Sequence, residues 1–398
     1  LKQANPLLHL FEPRLTVSDY ERIDGTFRNG PTSFFQLGGH FDSVRFDTMR
    51  LYDNEFDLST SKLAYQPEVL AQANVTSRRQ VLPGLGRTEG FYVEGVWDQE
   101  KINFSTALAQ TGTTNRAQIN GSLAFLPEAV RIVFRQSGLN VLGRNWTIAQ
   151  DNSILISQGG REVDIQNLNL SNGPQSISAQ GFISQNPTKP LALTVQNLEL
   201  ATLNGLTGGQ KLEGRLNALG TISGVYGPLV INSSLSVDSL LMDKVLIGDV
   251  RGQGDWDNRT SRLAVNLDVE RQSQHVLTVT GTYAPREKEQ QLNLTGTLAQ
   301  TPVKLAEPLL NTLFRDLRGT AVGTLRLTGR LAAPTLTGNI DVTDGQLTFL
   351  YLGTTYTFSD RIRFAEDRIS FRDIALRDPQ GNVGTLTGDI LHQGFQNM

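Results

Sequence analysis

From Gly319 to Phe395 the chain alternates apolar and polar residues in short bursts. The apolar positions are Leu325 and Leu327; Leu336, Ile340 and Val342; Leu347 and Phe349; Tyr356 and Phe358; Ile362 and Phe364; Ile369 and Phe371; Ile374 and Leu376; and Leu386 and Ile390. Thr, Asp, Arg and Gly fill most of the places between them. A period of two marks a strand with one dry face and one wet face. The pattern predicts about eight consecutive strands. Turn-forming pairs at Asp344-Gly345, Ser359-Asp360 and Gln380-Gly381 would join them.

Upstream the same period recurs with interruptions. Around residues 41–59, Phe41, Val44, Phe46, Met49 and Leu51 break strict alternation, which predicts a bulge. Residues 63–90 are less regular and read as a short helix followed by a Pro/Gly loop. Three stretches, Leu15–Gly25, Leu198–Gly214 and Val303–Gly319, are apolar-rich, end apolar-polar-Gly and lead into Gly-rich strand patterns. In the third, Leu309, Leu313 and Leu317 lie four apart and Pro308 suits a first turn, which predicts a short amphipathic helix.

Internal repetition accompanies the alternation. Gly-x-Trp-Asp opens a two-strand pattern at Trp97 and again at Trp256, closing on Gly121 and Gly281, with Ile102, Phe104 and Leu108 matched by Leu263, Val265 and Leu267. The run Ile165-Gln-Asn-Leu168 followed by Gly181-Phe-Ile183 echoes Phe371-Arg-Asp-Ile374 followed by Gly388-Asp-Ile390. Repeats of unequal length predict modules in series rather than a strict solenoid. We place them at 1–97, 98–197, 198–302 and 303–398, the first with an irregular insertion.

Composition narrows the function. Net charge is −3 and no basic block is present, so there is no nucleic-acid footprint. The absence of cysteine excludes disulfides, thiolate metal sites and a Cys nucleophile. No apolar run reaches the ~18–20 residues of a membrane-spanning helix. The chain opens on Leu1 without an initiator Met and stops in mid-pattern, and we read it as a fragment of a longer protein whose anchor lies elsewhere.

Sequence chemistry points away from catalysis, metal and cofactor. His9, His40, His275 and His392 have no zinc-ligand spacing. Gly84-Leu-Gly86 to Gly90 lacks dinucleotide spacing, Gly159-Gly160 with Asp164 reads as a turn, and Asp341, Asp344, Asp255 and Asp257 read as solvated carboxylates. Trp97, Trp146 and Trp256 read as plugs at module ends.

A ribbon of half-wet strands can become a sandwich, a barrel or a curled trough. Evenly sized modules with linkers are missing, and the strands read as mostly shorter than the ~9–11 residues of a membrane barrel. The expected fold is therefore all-β: elongated, repetitive antiparallel strands curled into an open groove with an apolar interior and a few short amphipathic helices. Such an interior suits acyl chains, at ~0.8 kcal/mol per buried methylene.

The C-terminal block, Gly338–Phe349, then Tyr356-Thr-Phe358, then 368–395 with Asp378, Gly381, Asn382, Leu386, Gly388, Ile390, His392, Gly394 and Phe395, resembles the start of the TamB C-terminal domain. The upstream modules resemble the AsmA-like repeats of the same superfamily. The resemblance implies a Gram-negative envelope protein in the periplasm, inner-membrane-anchored and shaped as a β-taco groove. It implies phospholipid as cargo, an outer-membrane barrel partner of the Omp85 type, and no catalytic residue. Three readings stay open: a lipid-transport groove, a scaffold for outer-membrane protein assembly, and a surface adhesin or glycan-binding repeat protein.

Overall fold

The computed structural model describes residues 5–18, 22–65, 68–83, 85–206, 211–331 and 333–392. The chain divides into two compact units, Leu1–Ser184 and Gln185–Met398. Both are built from antiparallel strands with little helix.

In the first unit, helix α1 (Asn5–Phe11) precedes β1 (Leu15–Val17), β2 (Arg22–Arg28), β3 (Thr32–Phe46), β4 (Met49–Leu63), β5 (Val69–Leu82), β6 (Gly86–Asp98), β7 (Lys101–Gln110) and β8 (Arg116–Leu126). The strands β9 (Ala129–Phe134), β10 (Gly138–Val141), β11 (Arg144–Ile148), β12 (Ser153–Ser157), β13 (Glu162–Asn172) and β14 (Gln175–Ile183) follow. Neighbours in sequence pair from β3 to β9, and β1 and β2 both pair with β3. Between β8 and β13 the short strands share the work: β9 and β10 pair with β8, while β11 and β12 pair with β13.

The second unit is a simple meander. It comprises β15 (Leu191–Glu199), β16 (Leu212–Ser223), β17 (Val230–Met242), β18 (Val245–Asp257), β19 (Arg262–Arg271), β20 (Gln274–Tyr283), β21 (Leu292–Pro302), β22 (Phe314–Arg330), β23 (Ala333–Phe349), β24 (Thr354–Ala365), β25 (Arg368–Arg377) and β26 (Val383–Leu391). Each strand pairs with the next. A 3-10 turn, Leu200–Leu206, separates β15 from β16; a second, Val303–Ala306, runs into the one-turn helix α2 (Glu307–Leu310) before β22.

Several sequence expectations change. The C-terminal stretch holds five long strands, β22–β26, because Asp344-Gly345 and Ser359-Asp360 lie inside β23 and β24. Only Gln380-Gly381 turns the chain, with Asp378 accepting backbone N–H bonds from Gln380 and Asn382. Strands of 9 to 17 residues in the second unit remove strand brevity as an argument against a membrane barrel. Residues 69–82 are strand β5 rather than helix. Leu15–Val17 and Arg22–Arg28 are strands, so the described part of the first apolar-rich stretch is not helical. In the third, the helix ends at Leu310; Leu313 lies in a turn and Leu317 is buried within β22. Strand pairing there outweighs a four-residue spacing too short to nucleate a helix of its own. The bulge expected near 41–59 is not an inserted residue: β3 and β4 keep one register from Thr32↔Leu63 to Phe46↔Met49, around a hairpin turn at Asp47.

Bulges occur instead at a recurring four-residue element. Asn167, Asn197, Ser239, Gln300, Asp316, Asp344 and Asp373 all have φ between 50° and 56°, each at a register shift in its ladder. Most are Asn, Asp or Ser, whose short polar side chains suit local bonding in the left-handed region. The freed N–H is accepted by a side chain of the next strand in four of them: Asn197 by Asn217 Oδ1 at 2.8 Å, Ser239 by Asp249 Oδ1 at 2.8 Å, Asp344 by Ser359 Oγ at 3.0 Å and Asp373 by Thr387 Oγ1 at 3.2 Å. A bulge bends its strand and raises the local twist, and these seven fall on β13, β15, β17, β21, β22, β23 and β25.

The repeats seen in sequence are repeats of register. Gly95, Phe104 and Gly121 form one cross-strand row, as do Gly254, Val265 and Gly281. The echo between 165–183 and 371–390 is a bulged hairpin in both places: Ile165 pairs with Gly181 and Phe371 with Gly388, each just before the positive-φ residue.

Candidate functional site: an apolar face crossing the strands

Register carries one apolar or glycine position through every strand of the second unit. The row runs Val195, Ala218, Leu235, Gly252, Leu267, Val279, Gly296, Leu325, Gly338, Phe364, Ile369 and Ile390. A parallel row, Leu198, Leu216, Val237, Val250, Val269, Leu277, Leu298, Gly323, Ile340 and Ile362, lies two residues away on the same face. At ~4.8 Å per strand the first row extends on the order of 50 Å.

The intervening row is polar throughout: Asn217, Ser236, Arg251, Asp268, Thr278, Thr297, Thr324, Asn339, Arg363, Ser370 and Asp389. It projects from the opposite face, where cross-strand pairs tie the rungs. Thr278 Oγ1 donates to Asp268 at 2.8 Å, and Ser370 Oγ donates to Asp389 at 2.6 Å. One rung along, Arg361 grips Asp341 through two bonds of 2.7 and 2.9 Å and holds its carboxyl below the usual carboxylate range. Asp389 is lowered by the Ser370 hydroxyl and then by Arg372, 3.1 Å away.

The residues singled out from sequence divide into groups. Ile340, Val342, Phe358, Ile369, Phe371 and Ile374 are buried together with Ala321, and Leu325, Leu347, Ile362, Phe364, Leu376, Leu386 and Ile390 pack against them. Each such burial contributes about 1.5–3 kcal/mol for a full-sized side chain. Leu325, Leu327, Leu336, Ile340 and Phe364 also line an open cavity of about 320 Å³. Phe349 and Tyr356 stand apart: Phe349 packs against Phe314, ring centres 5.6 Å apart, and half-buried Tyr356 pairs with Leu347. The dry face is thus sealed on itself around Ile374 and open over β20–β24.

The rest of the cavity comes from residues that the C-terminal pattern did not reach. Leu277, Val279, Leu294, Gly296 and Leu298 supply the floor, and Val303, Leu305, Ala306 and Leu310 roof it. Their signal was the same alternation, Leu292-x-Leu294-x-Gly296-x-Leu298, one strand earlier. A second apolar cluster, Leu200, Val237, Val250, Val269 and Val276, fills the face under the first 3-10 turn.

The first unit's core is more mixed. Phe41 stacks on Phe56 at 5.5 Å, and Val17 and Phe41 are buried together. Asn54, Ser77, Gln80 and Thr88 are also buried and hydrogen-bonded, Thr88 to Gln80 Oε1 at 3.0 Å. Trp146 is buried, whereas Trp97 is half-exposed and packs against Phe125. A broad cleft of about 730 Å³ over β15–β20 is lined mostly by polar residues, Ser236 and Arg251 among them, together with Val195, Ala218 and Leu235. No group of residues able to hold a metal occurs among the described residues, nor any helix long and apolar enough to cross a membrane.

The architecture defines an all-β protein of repeated antiparallel strands whose distinctive surface is hydrocarbon. Residues 166–377, more than half of the chain, match the TamB C-terminal domain, and the chain belongs to that family. The matched range takes in Gly338–Phe349, Tyr356–Phe358 and 368–377 of the C-terminal block and stops before its last part, 378–395; it opens far upstream, in modules whose sequence resembles only AsmA-like repeats, and Gly394 and Phe395 lie outside the described residues. No curated protein and no solved structure matches. Family membership makes the chain part of a Gram-negative envelope protein with a role in outer-membrane biogenesis.

Proposed function

We propose that the second unit is a section of a periplasmic groove that carries phospholipid acyl chains between the inner and outer membranes. The observation that carries this reading is the pair of parallel apolar rows, one position from each successive strand, backed by an ion-paired polar face. Hydrocarbon is stabilised along such a surface, whereas a lipid headgroup would stay outside in water. Anchorage in the inner membrane and a barrel partner at the outer membrane belong to the same proposal, and no catalytic residue is part of it.

The test is lipid content. The chain, purified from an envelope extract without harsh detergent, is expected to retain phospholipid detectable by mass spectrometry. Phe364→Asp, which puts a charge on the open part of the face, is expected to reduce that content at least tenfold while Arg363→Asp on the polar face does not. A folded wild-type chain free of lipid would overturn the reading.

A further inference from the structure

The segment Val303–Leu310 lies across the apolar face rather than beside it. Its 3-10 turn follows β21, packs on β22 and reaches back to β18. Val303 and Leu310 pack into the cluster that contains Ala321 and Ile340. Both ends are fastened. Thr301 donates its hydroxyl to the Val276 carbonyl of β20, and beyond α2 the Leu313 carbonyl accepts from Leu350 N–H at 3.0 Å. Pro302, at φ −59°, and buried Pro308 restrict the backbone between those fastenings.

We infer that this segment is a fixed stop in the groove, and that the cavity of about 320 Å³ beneath it is a docking site for a single acyl chain of a phospholipid. The inference rests on the groove reading above. The cavity itself selects the occupant. Among the described residues that line it, Thr301 is the one polar side chain, and its hydroxyl donates to the Val276 carbonyl. A peptide segment would bring backbone N–H and C=O groups with no partners, at a cost of several kcal/mol each. A helix, ~10–12 Å across with its side chains, does not fit a space at the lower limit of small-ligand cavities. A hydrocarbon chain has nothing to satisfy and fills the space. The stop makes this part of the face a station where one chain end halts, not a stretch of continuous track.

Photolabelling tests it. Vesicles of phosphatidylethanolamine with a diazirine near the end of one acyl chain are incubated with the full chain, irradiated, and the labelled peptides mapped. The expected result is one dominant label per chain, on peptides carrying Leu294 or Leu305-Ala306. Ala306→Trp from the roof and Leu294→Phe from the floor fill the same space. Either is expected to cut that label at least tenfold while the strand signal in circular dichroism is unchanged, and the floor variant carries the test if the roof variant does not fold. Label spread evenly along the face, or unchanged in the filled variants, overturns the stop. Label from a diazirine fatty acid but not from the phospholipid overturns the choice of ligand. A dimer that the filled variants dissolve assigns the cavity to a second copy and also overturns it. Absence of label anywhere in the wild type tells against the groove reading itself.

Discussion

Gly338 pairs with Leu325 so closely that a Cβ on Gly338 would stand 3.0 Å from the Leu325 Cα and 2.3 Å from the Thr324 carbonyl oxygen. Its φ of 132° is a region that side-chain-bearing residues rarely enter. On its other side Gly338 faces Phe364, so the apolar row alternates large residues with a gap at which two strands approach. Gly338→Ala is therefore expected to cost about 1–3 kcal/mol, read as a lowered urea midpoint. Gly384→Ala, with open space at its Cβ and an ordinary φ, is the control expected to stay within about 0.5 kcal/mol.

The bulges depend on borrowed acceptors. Removing the Ser359 hydroxyl leaves the Asp344 N–H without the partner it has at 3.0 Å. Ser359→Ala is expected to destabilise the second unit by about 0.5–1.5 kcal/mol and to speed hydrogen exchange at the Asp344 amide. Thr387→Val should do the same at Asp373. An unchanged exchange rate at either amide would show that water replaces the side chain.

The polar face is acid-sensitive at identifiable pairs. Arg361 lowers the Asp341 carboxyl, so the native state resists protonation more than the unfolded chain does. The pair's contribution is present above the unfolded carboxylate value near 3.8 and is lost as pH falls through the lower folded value. Carbon-13 titration is expected to show Asp341 titrating below 3.8 in the wild type, and closer to it in Arg361→Gln. As both groups are exposed, raising the salt concentration should narrow the difference.

His392 behaves differently because burial is the cause. Desolvation lowers its value from the ordinary 6.5, opposed by the charge of Asp367, whose backbone carbonyl accepts the His392 N–H at 2.9 Å. The unfolded state therefore binds the proton first. Stability is complete above about 6.5 and falls as pH drops from there to the lower folded value. Hydrogen exchange in β26 should quicken across that window in the wild type, and His392→Gln should abolish the pH dependence.

Alternation made the two-faced strands legible without a structure, since a period of two places Ile340 and Ile362 on one face and Asp341 and Arg361 on the other whatever surrounds them. The repeats were legible for the same reason: Gly95, Phe104 and Gly121 fall in one cross-strand row, and Gly254, Val265 and Gly281 in another. Asp344-Gly345, in contrast, looks the same whether it ends a strand or bulges one. The partner strand settles that choice, because the freed N–H of Asp344 meets Ser359 and pairing resumes at Gly345 and Phe358. Likewise nothing local distinguishes Val303–Leu310 as a helix beside the sheet from a turn across it. Its placement follows from long-range packing of Val303 and Leu310 on Ala321 and Ile340, and from fastenings at Val276 and Leu350. Sequence by itself determined which side chains are dry. Tertiary structure alone decided which dry side chains seal against one another and which remain open beneath the stop, because that depends on how strands far apart in sequence curve toward each other.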